Sequence, residues 1–410
     1  MKVNSMRLLD RWVGSVISAV LTAVRKFADL FRRMPTDPPR RILIVKLVEQ
    51  GATVIAEPAL RRAVEMVGRE NVFMAVFQEN RFILDVLDVM PRENVITIRS
   101  DGLVTVFVDT LRAIWRMRRE GIDAAVDFEF FSRYSGALTY LSGARRRVGL
   151  HSFAGEAGYR GDLMTHRVGY NLTLHASHIY QVLIEALTVP PEQLPAMGFR
   201  LPADSAQSAF VVDAGETREV ETLLRQIVGR DSIPPLILLN ANSGDLLPLR
   251  RWPSERYVEL AQRLLEKYPE MMIAFTGSPD ERAGAEHMAA LVDSDRCVSM
   301  GGRTTLRQLL IAYGLSEILV TNDSGPAHYA SLTSIDVVTL FGPETPTIFG
   351  SKSPRSHILW AGLPCSPCVN AFNQRITTCT NSLCMQAILV DEVFAMVCRV
   401  YDQRRSAARA

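Results

Sequence analysis

The segment from Val320 to Ala330 carries the residues whose types and spacing best suit chemistry. Its apolar first residues predict the end of a strand, and a Ser-Gly-Pro turn then opens a helix that includes His328. Ser324 suits the cap of this helix and Pro326 its first turn, while the exposed amide groups there can bind an anion. Asp323 and His328 are therefore predicted to face one ligand. The alternative is a plain strand–turn–helix in which these residues only satisfy the caps.

Arg250 and Arg251 stand just before a Trp-Pro pair that begins a predicted helix. A guanidinium group can form two parallel hydrogen bonds with a phosphate, so these arginines are candidate phosphate ligands. Surface arginines at a helix start are the alternative. The chain has one Asp-x-Asp sequence, Asp293-Ser-Asp295, and its polar surroundings favour a solvated turn over a metal site.

Four cysteines lie close together late in the chain, at Cys365, Cys368, Cys379 and Cys384. Two pairs of thiolates at these spacings suit a tetrahedral zinc ion, so a structural zinc site is one possibility. Thiols left free or joined in disulfides are the alternatives. Cys297 and Cys398 are expected to be buried apolar residues. Six cysteines in a chain of this length are too few for a disulfide scaffold, which favours a reducing, cytoplasmic compartment.

From Arg41 onward, short apolar runs alternate with helical periodicity, and these elements must position the residues above. The runs lack strict alternation, which is typical of buried parallel strands. They predict two doubly wound α/β domains with a cleft between them, and ligands at the carboxyl ends of the strands. The predicted strands are 42–45, 72–77, 95–98, 124–131, 236–240, 271–276, 298–300, 318–321 and 337–341.

The same pattern predicts the domain boundaries. An irregular, polar stretch is expected around 190–232, between the two α/β patterns. The predicted segments are an N-terminal helix with a Pro linker at 1–40, a first α/β domain at 41–205, a linker region at 206–232, a second α/β domain at 233–390, and a closing helix and tail at 391–410.

The composition is that of an ordinary globular protein. The chain has 410 residues, of which 48% are hydrophobic and 22% charged, and this excludes a mainly disordered, collagen-like or many-span membrane protein. The net charge is +2, but residues 1–41 hold nine basic and three acidic side chains, so the rest of the chain is mildly acidic. A basic leader on an acidic body suggests an anionic membrane surface as partner rather than nucleic acid.

The N-terminal segment is predicted to form one amphipathic helix. Apolar residues from Leu9 to Phe31 recur at steps of three and four, and basic and small polar residues occupy the opposite face. The longest uncharged stretch, Trp12 to Val24, is shorter than the roughly 18 residues that a spanning helix needs. Such a helix can lie in a membrane interface. A helix packed on its own protein or on a partner is the alternative, and a signal peptide is a weaker one.

Several of these motifs, taken in order, resemble glycosyltransferase family 9, whose best-known members are the lipopolysaccharide heptosyltransferases. The similarity extends from Arg41 to about Arg399. The matching residues are Asp323, Ser324, Gly325 and His328 of an Asp-Ser/Thr-Gly-x-x-His signature, Arg250-Arg-Trp-Pro253, Gly277-Ser-Pro-Asp-Glu281, Gly302-Arg-Thr-Thr-Leu306 and Leu340-Phe-Gly-Pro343.

The resemblance implies a fold of GT-B type, with the acceptor bound by the N-terminal half and a nucleotide sugar by the C-terminal half. It also implies inversion at the anomeric carbon. The departing diphosphate needs charge stabilisation, which Arg250 could supply without a metal. The residues that the resemblance places near the donor are Asn242, Ser243, Gly244, Arg250, Arg251, Glu281, Thr304, Asp323, Ser324, Gly325, Pro326 and His328.

The N-terminal half departs from the family pattern at one position. The opening strand–loop–helix contains Gly51, and in many relatives the next residue is an aspartate that acts as general base on the acceptor hydroxyl. Here it is Ala52, which cannot accept a proton. Glu49 in the same loop is the first candidate to replace it, and Asp127 and Glu129 in the strand at 124–131 are the others.

These observations predict an inverting, metal-independent glycosyltransferase that moves heptose or a similar sugar to a lipid-linked or glycolipid acceptor in cell-envelope polysaccharide synthesis. It would need no catalytic cofactor and would lie on the inner face of the cytoplasmic membrane. Because of Ala52, one alternative is an inactive homologue that acts as a ligand-binding or assembly factor. Another is a structural membrane-associated protein whose cysteine loop recruits a partner.

Overall fold

The computed structural model describes residues 3–31, 35, 37–201, 209–244 and 247–409, with the side chains of all of these except 3–9, 408 and 409. The chain divides into two compact units. Unit 1 consists of residues Met1–Ser205 and Asn370–Ile376, and unit 2 of residues Ala206–Val369 and Thr377–Ala410. A short segment from late in the sequence therefore belongs to unit 1.

Unit 1 is built on a parallel sheet of six strands, numbered in chain order. The strands are β1 (Ile42–Val45), β2 (Val72–Phe77), β3 (Val95–Ile98), β4 (Ala124–Asp127), β5 (Arg146–Leu150) and β6 (His166–Val168). The helices are α1 (Val3–Asp29), α2 (Gln50–Ile55), α3 (Glu57–Val67), α4 (Arg81–Leu87), α5 (Leu103–Arg119), α6 (Arg133–Leu141) and α7 (Ala176–Glu185).

Unit 2 has a second parallel sheet of six strands. They are β7 (Leu236–Asn240), β8 (Met272–Phe275), β9 (Cys297–Ser299), β10 (Ile318–Asn322), β11 (Asp336–Phe341) and β12 (Ser356–Trp360). Its helices are α8 (Ala214–Val228), α9 (Ser254–Lys267), α10 (Arg282–Val292), α11 (Leu306–Gly314), α12 (Gly325–Ala330), α13 (Pro346–Phe349), α14 (Leu383–Gln386) and α15 (Val390–Arg409).

The two sheets have the same topology. The strand order is β3-β2-β1-β4-β5-β6 in unit 1 and β12-β11-β10-β7-β8-β9 in unit 2, so each sheet grows outward from a central pair. These pairs are β1 with β4, where Val45 lies opposite Asp127, and β7 with β10, where Asn240 lies opposite Thr321. The central strands are fully buried because helices cover both faces. The prediction of two doubly wound α/β folds is confirmed.

Sequence reasoning missed three strands, β5, β6 and β12, and five helices, α2, α7, α8, α13 and α14. The irregular stretch expected around 190–232 contains α8, a charged helix of which only four residues are buried. Strand β5 begins with Arg146 and Arg147, and two charged residues are not typical of a buried strand. Both side chains are nevertheless buried, because backbone carbonyl groups accept their hydrogen bonds. Strand β4 ends at Asp127, four residues earlier than predicted.

Helix α1 packs on unit 1 through its polar face. The carboxylate of Asp10 accepts hydrogen bonds from the backbone N–H groups of Arg133, at 3.3 Å, and Tyr134, at 2.8 Å, in the first turn of α6. A negative charge at this end of a helix is favourable. About three to four turns further on, Thr22 accepts from the N–H of Asp162 at 2.8 Å, and Arg25 donates to Met164 O at 3.1 Å.

This packing gives α1 a defined place in the fold. The connection from β5 to β6 contains no helix, and residues 161–164 of that connection contact α1. In a doubly wound sheet a helix normally covers this crossover, and α1 occupies its position. The apolar face of α1 therefore points outward. No helix in the described ranges combines the length and apolarity that crossing a bilayer requires.

Candidate active site

The candidate residues follow the central strand pair of each sheet. In open α/β sheets, ligands bind outside the carboxyl ends of the strands where the strand order reverses. In unit 2, Asn242 to Gly244 follow β7 and Asp323 follows β10. In unit 1, Glu49 follows β1, while Asp127 is the last residue of β4. Each unit thus has its own candidate site.

Arg250 lies between two buried carboxylates in unit 2. Its Nη1 atom is 3.8 Å from Asp323 Oδ2 and 3.5 Å from Glu344 Oε2, and its Nη2 is 3.4 Å from the carbonyl oxygen of Ser243. Exposed fractions are 8% for Arg250, 3% for Asp323 and 1% for Glu344. The long distances leave the hydrogen bonds of this guanidinium weak.

Two hydrogen-bond donors beside this group are unsatisfied. The Nε atom of Arg250 and the Nδ2 atom of Asn242 are buried and have no hydrogen-bond partner among the described residues. An unsatisfied buried donor costs about 1–3 kcal/mol, and native proteins rarely leave one without a reason. Two such donors in the loop after β7 fit a site that an anionic ligand completes.

Asn322 holds the two central strands of unit 2 together at this end. Its Oδ1 atom accepts from the N–H of Trp252 at 3.0 Å and from the hydroxyl of Tyr257 at 3.1 Å. Its Nδ2 atom donates to the carbonyl oxygen of Ala241 at 3.0 Å. All these groups are buried, so Asn322 is a positioning residue that fixes the loop carrying Arg250 against β10.

The loop after β8 brings Glu281 close to Asn242. A Cβ atom added at Gly277 would lie 3.0 Å from the Cβ of Glu281 and 3.2 Å from Asn242 Nδ2, so a side chain there would crowd both groups. Glu281 is oriented by the N–H of Ser278, which donates to its carboxylate at 2.8 Å. Thr304, which is half-buried, lies in the next loop, after β9.

The Asp-Ser-Gly turn differs from its prediction in one detail. Ser324 occupies the cap position of α12, but its hydroxyl makes no cap hydrogen bond and instead donates to Asn322 O at 3.2 Å. Gly325 is required because a Cβ there would lie 2.6 Å from the hydroxyl of Tyr329. Pro326 is in the first turn, and His328 is buried one turn into the helix.

The remaining candidates of unit 2 are exposed. Arg251 is exposed and donates to the carbonyl oxygen of Gly244 at 3.2 Å. Gly244 has a positive φ of 65° and is itself exposed. Asp293 ends α10 and Asp295 is an exposed partner of Arg230 at 3.0 Å, as expected of a solvated turn.

In unit 1, Glu49 forms an ion pair with Arg375, which belongs to the late segment 370–376. Glu49 has a left-handed backbone, with φ of 67°, immediately before α2. Its side chain is 25% exposed. Gly51 is buried in the first turn of α2, and Ala52 beside it is half-buried. The arginine therefore holds the Glu49 carboxylate in one orientation, within reach of solvent.

Glu129 and Asp127 are engaged with the protein itself. Glu129 Oε1 accepts from the amide groups of Leu47, at 2.7 Å, and Val48, at 3.0 Å, and from Lys46 Nζ at 3.1 Å. These bonds tie the ends of β1 and β4 together.

Asp127 is completely buried. It accepts from Ser135 Oγ at 3.0 Å and from the N–H of Glu129 at 3.0 Å, and it is paired with Arg160. Burial raises the pKa of the Asp127 carboxyl group, and Arg160 opposes that shift.

The four late cysteines do not form the suggested zinc site. Within the described ranges, no group of three or more His, Cys, Asp or Glu side chains is arranged to hold a metal ion. Cys384 is buried at α14 in the core of unit 2, while Cys365 and Cys379 are exposed. None of the six cysteines, all in described parts of the chain, is in a disulfide. Cys297 and Cys398 are buried, as predicted.

Sequence reasoning missed Glu344, Asn322, Arg160 and Arg375 as members of these sites. Glu344 directly follows the Leu340–Pro343 motif and could have been found from that position. Arg375 gave no signal, because it is 326 residues from Glu49 in the sequence.

The fold and the placement of these residues define the class of protein, an α/β protein of the GT-B glycosyltransferase type. The model of "Glycosyltransferase family 9 (heptosyltransferase)" matches residues 112–376, more than half of the chain. The chain belongs to glycosyltransferase family 9, and the resemblance seen in the sequence is confirmed.

Individual relatives agree with this assignment. The chain is 32% identical over 114 residues to lipopolysaccharide heptosyltransferase 2 of Salmonella typhimurium. The aligned part is 27% of this chain and 32% of the length of that protein. The structure of E. coli ADP-heptose lps heptosyltransferase II matches with a TM-score of 0.64 and 18% identity, covering 89% of this chain and 99% of that one. A family 9 glycosyl transferase structure from Veillonella parvula gives 0.66 at 17% identity, covering 90% and 99%. At these identities the two structures establish the fold.

Proposed function

We propose that this protein transfers heptose or a similar sugar from a nucleotide sugar to a lipid-linked or glycolipid acceptor in cell-envelope polysaccharide synthesis. The observation that carries the proposal is the buried Arg250–Asp323–Glu344 group with its two unsatisfied donors, at the strand reversal of unit 2. Family membership supports the same reaction class. ADP-heptose is the first donor to test, because one structural relative is the ADP-heptose lps heptosyltransferase II of E. coli.

Unit 2 has the charges that sugar transfer needs. As the bond to the anomeric carbon breaks, negative charge develops on the departing diphosphate and positive charge on the sugar ring. The Nε atom of Arg250 and the Nδ2 atom of Asn242 are donors for the diphosphate. Asp323 and Glu344 are the proposed contacts to the sugar. Glu281, beside Asn242, is the proposed contact to the rest of the nucleotide.

The leaving group is proposed to depart without a metal. The one Asp-x-Asp sequence lies in an exposed turn whose second aspartate is paired with Arg230. The carboxylates near the candidate phosphate position, Asp323 and Glu344, already share Arg250. A fixed guanidinium can stabilise the developing charge in place of a cation.

Glu49 is the proposed general base. The acceptor hydroxyl must lose its proton as it attacks, and direct attack on the face opposite the diphosphate inverts the anomeric carbon. Glu49 is partly exposed and oriented by Arg375, whereas Asp127 is fully buried and Glu129 is held by three donors. Glu49 is thus the carboxylate of this loop region that an acceptor can reach most directly.

Helix α1 is the proposed contact with the membrane. Its polar face contacts the rest of unit 1. Its outward face and the turn after it carry apolar side chains that are 44–77% exposed, namely Trp12, Val13, Val16, Ile17, Val20, Val24, Phe27, Leu30 and Phe31. A glycolipid acceptor is reached most easily from the membrane surface. Basic side chains such as Lys26 are exposed on the same helix and suit anionic lipid on the cytoplasmic face.

An inactive homologue is the second candidate function, and two observations favour it. Ala52 occupies the position at which the family resemblance implies a base, and Glu49 is already paired with Arg375. Such a protein would bind the nucleotide sugar in unit 2 and act at the membrane as an assembly factor.

A thermal-shift screen against nucleotide sugars, followed by product analysis with the best ligand, tests the proposal. We expect ADP-heptose or a related nucleotide sugar to raise the Tm, and the same ligand to donate its sugar to a glycolipid with release of the nucleoside diphosphate. Stabilisation without transfer to any glycolipid would favour the inactive homologue. No stabilisation by any nucleotide sugar would contradict both.

A further inference from the structure

Helix α5 exposes a second apolar stripe, which no part of the function proposed so far uses. Leu103, Phe107, Leu111 and Trp115 follow one another at steps of four and are 51–63% exposed. Val104 beside them is 77% exposed. The opposite side of α5, with Ala113 and Met117, is buried. A contiguous apolar stripe of this kind on a folded surface marks an interaction site.

Helices α5 and α1 lie on the same face of the unit 1 sheet. The crossovers from β3 to β4 and from β4 to β5 advance in the same direction across the sheet, so their right-handedness places α5 and α6 on one face. Tyr134 at the start of α6 connects the two helices. Its N–H donates to Asp10 of α1 at 2.8 Å, and its hydroxyl is 2.5 Å from Thr110 of α5.

The two stripes share one chemistry. Trp12 on α1 and Trp115 on α5 are both more than 60% exposed, and each lies beside an arginine of its own helix. The guanidinium carbon of Arg11 is 5.6 Å from the Trp12 ring centre, and that of Arg119 is 5.3 Å from the Trp115 ring centre. An amphipathic aromatic ring beside a cation suits the boundary between lipid tails and anionic head groups.

We propose that α1 and α5 form one membrane-docking surface, and that its occupant is an anionic phospholipid bilayer. The charge favours this occupant over a second copy of the chain. The last turn of α5 carries Arg116, Arg118 and Arg119, and the end of α1 carries Lys26. Two copies would bring these like charges together, whereas anionic lipid neutralises them.

This inference extends the membrane contact proposed for α1 and gives unit 1 two attachment points. A single amphipathic helix can swing about its axis, whereas two helices bound to one plane fix the orientation of the unit that carries them. Because both helices bind the same bilayer, removing either should weaken binding strongly, as expected when two linked contacts act together.

Vesicle sedimentation of the full-length chain tests the proposal. Binding to vesicles of phosphatidylglycerol and phosphatidylcholine, without acceptor or nucleotide sugar, is measured for three proteins. These are wild type, F107S/W115S on α5 and W12S/F27S on α1. The control is V211S/L291S, which removes two exposed apolar side chains of unit 2. Each helix variant should bind these vesicles at least about tenfold more weakly than wild type. The control should bind within about twofold of wild type. Wild type should bind pure phosphatidylcholine vesicles only weakly, because they lack anionic lipid. Equal Tm values show that all variants fold.

A second readout follows Trp115 directly. The chain has four tryptophans, and Trp252 is buried. In a W12F/W360F variant, brominated lipid should therefore quench Trp115 if α5 enters the bilayer. The proposal is overturned if F107S/W115S binds vesicles like the control and Trp115 is not quenched. It is also overturned if these substitutions only dissociate a dimer. Because the vesicles hold no substrates, these outcomes are independent of whether the chain transfers sugar.

Discussion

The two units have the same sheet topology, yet their carboxylates at the strand reversal are bonded differently. In unit 1, Glu129 accepts three bonds of 2.7–3.1 Å, and Asp127 is fully buried and bonded to its neighbours, although its partner Arg160 keeps one buried donor, Nη1, without a partner in the described part of the chain. In unit 2, Arg250 is 3.4–3.8 Å from its partners, and its Nε atom has none among the described residues. Closely bonded carboxylates stabilise a fold, whereas the long contacts of Arg250, beside the unsatisfied Asn242 Nδ2, indicate a place for a ligand.

The two proposed sites also differ in how many groups each depends on. The proposed donor site is built from groups that a diphosphate and a sugar would complete. The proposed acceptor site depends on one partly exposed carboxylate, Glu49, at a strained backbone position. The largest loss of transfer rate is therefore expected from a substitution in unit 1, and losses of donor affinity from substitutions in unit 2.

The largest effect is expected from Glu49→Gln. Loss of a general base typically lowers the rate by about a hundred- to ten-thousand-fold, with substrate binding largely retained. Steady-state transfer kinetics and a Tm measurement check this, with Glu79→Gln in the loop after β2 as the control. By contrast, Asp127→Asn should lower the Tm, because it leaves Arg160 buried without its charge partner. Full activity of Glu49→Gln would exclude Glu49 as the base.

Arg250→Ala should have the next largest effect, on the rate rather than on donor affinity. Removing a fixed donor that stabilises developing charge typically lowers the rate about a hundred- to a thousand-fold. Rates of nucleoside diphosphate release measure this. Arg251→Ala is the matched control, because that side chain is exposed and should matter about threefold or less. A loss of about threefold or less in Arg250→Ala would exclude the proposed role of its guanidinium.

Asp323→Asn and His328→Ala should weaken nucleotide-sugar binding about tenfold each, since a lost hydrogen bond in a buried site costs about 1.5 kcal/mol. Isothermal titration calorimetry gives the Kd values. Asp293→Asn, in the solvated turn, should bind like wild type. Unchanged affinity in both of the first two variants would remove the donor site from the end of β10.

The smallest effect is a pH dependence confined to unit 1. Burial, together with Arg146 and Arg147, lowers the pKa of His166 to about 4. Because the unfolded chain takes up this proton near its ordinary pKa of about 6.5, the free energy of unfolding should fall as the pH drops below that value.

Between pH 7 and 5.5 the loss due to His166 is about 1 kcal/mol. Chemical unfolding at several pH values measures it. His166→Asn should reduce the slope, whereas His287→Asn on the exposed side of α10 should not. An unchanged slope in His166→Asn would show that His166 titrates alike in both states.

Sequence patterns predicted the two sheets because apolar runs such as Ile42–Val45 and Leu236–Asn240 are buried on both faces and have no other stable placement. They failed at β5, whose arginines are buried through backbone carbonyl groups, and at the edge strand β12, which is only half-buried. Motif order placed Arg250 and Asp323 at one site. It could not show that Arg375 pairs with Glu49, because that contact depends on the path of the late segment into unit 1.

The central claim is that this chain is a working glycosyltransferase rather than a donor-binding homologue. The most direct test is mass spectrometry of a lipopolysaccharide-core glycolipid incubated with ADP-heptose and either wild type or Ala52→Asp. We expect wild type to add one heptose unit to the glycolipid, and Glu49→Gln largely to abolish this product. Absence of product with wild type, together with its appearance in Ala52→Asp, would contradict this claim and identify the chain as a disabled member of its family.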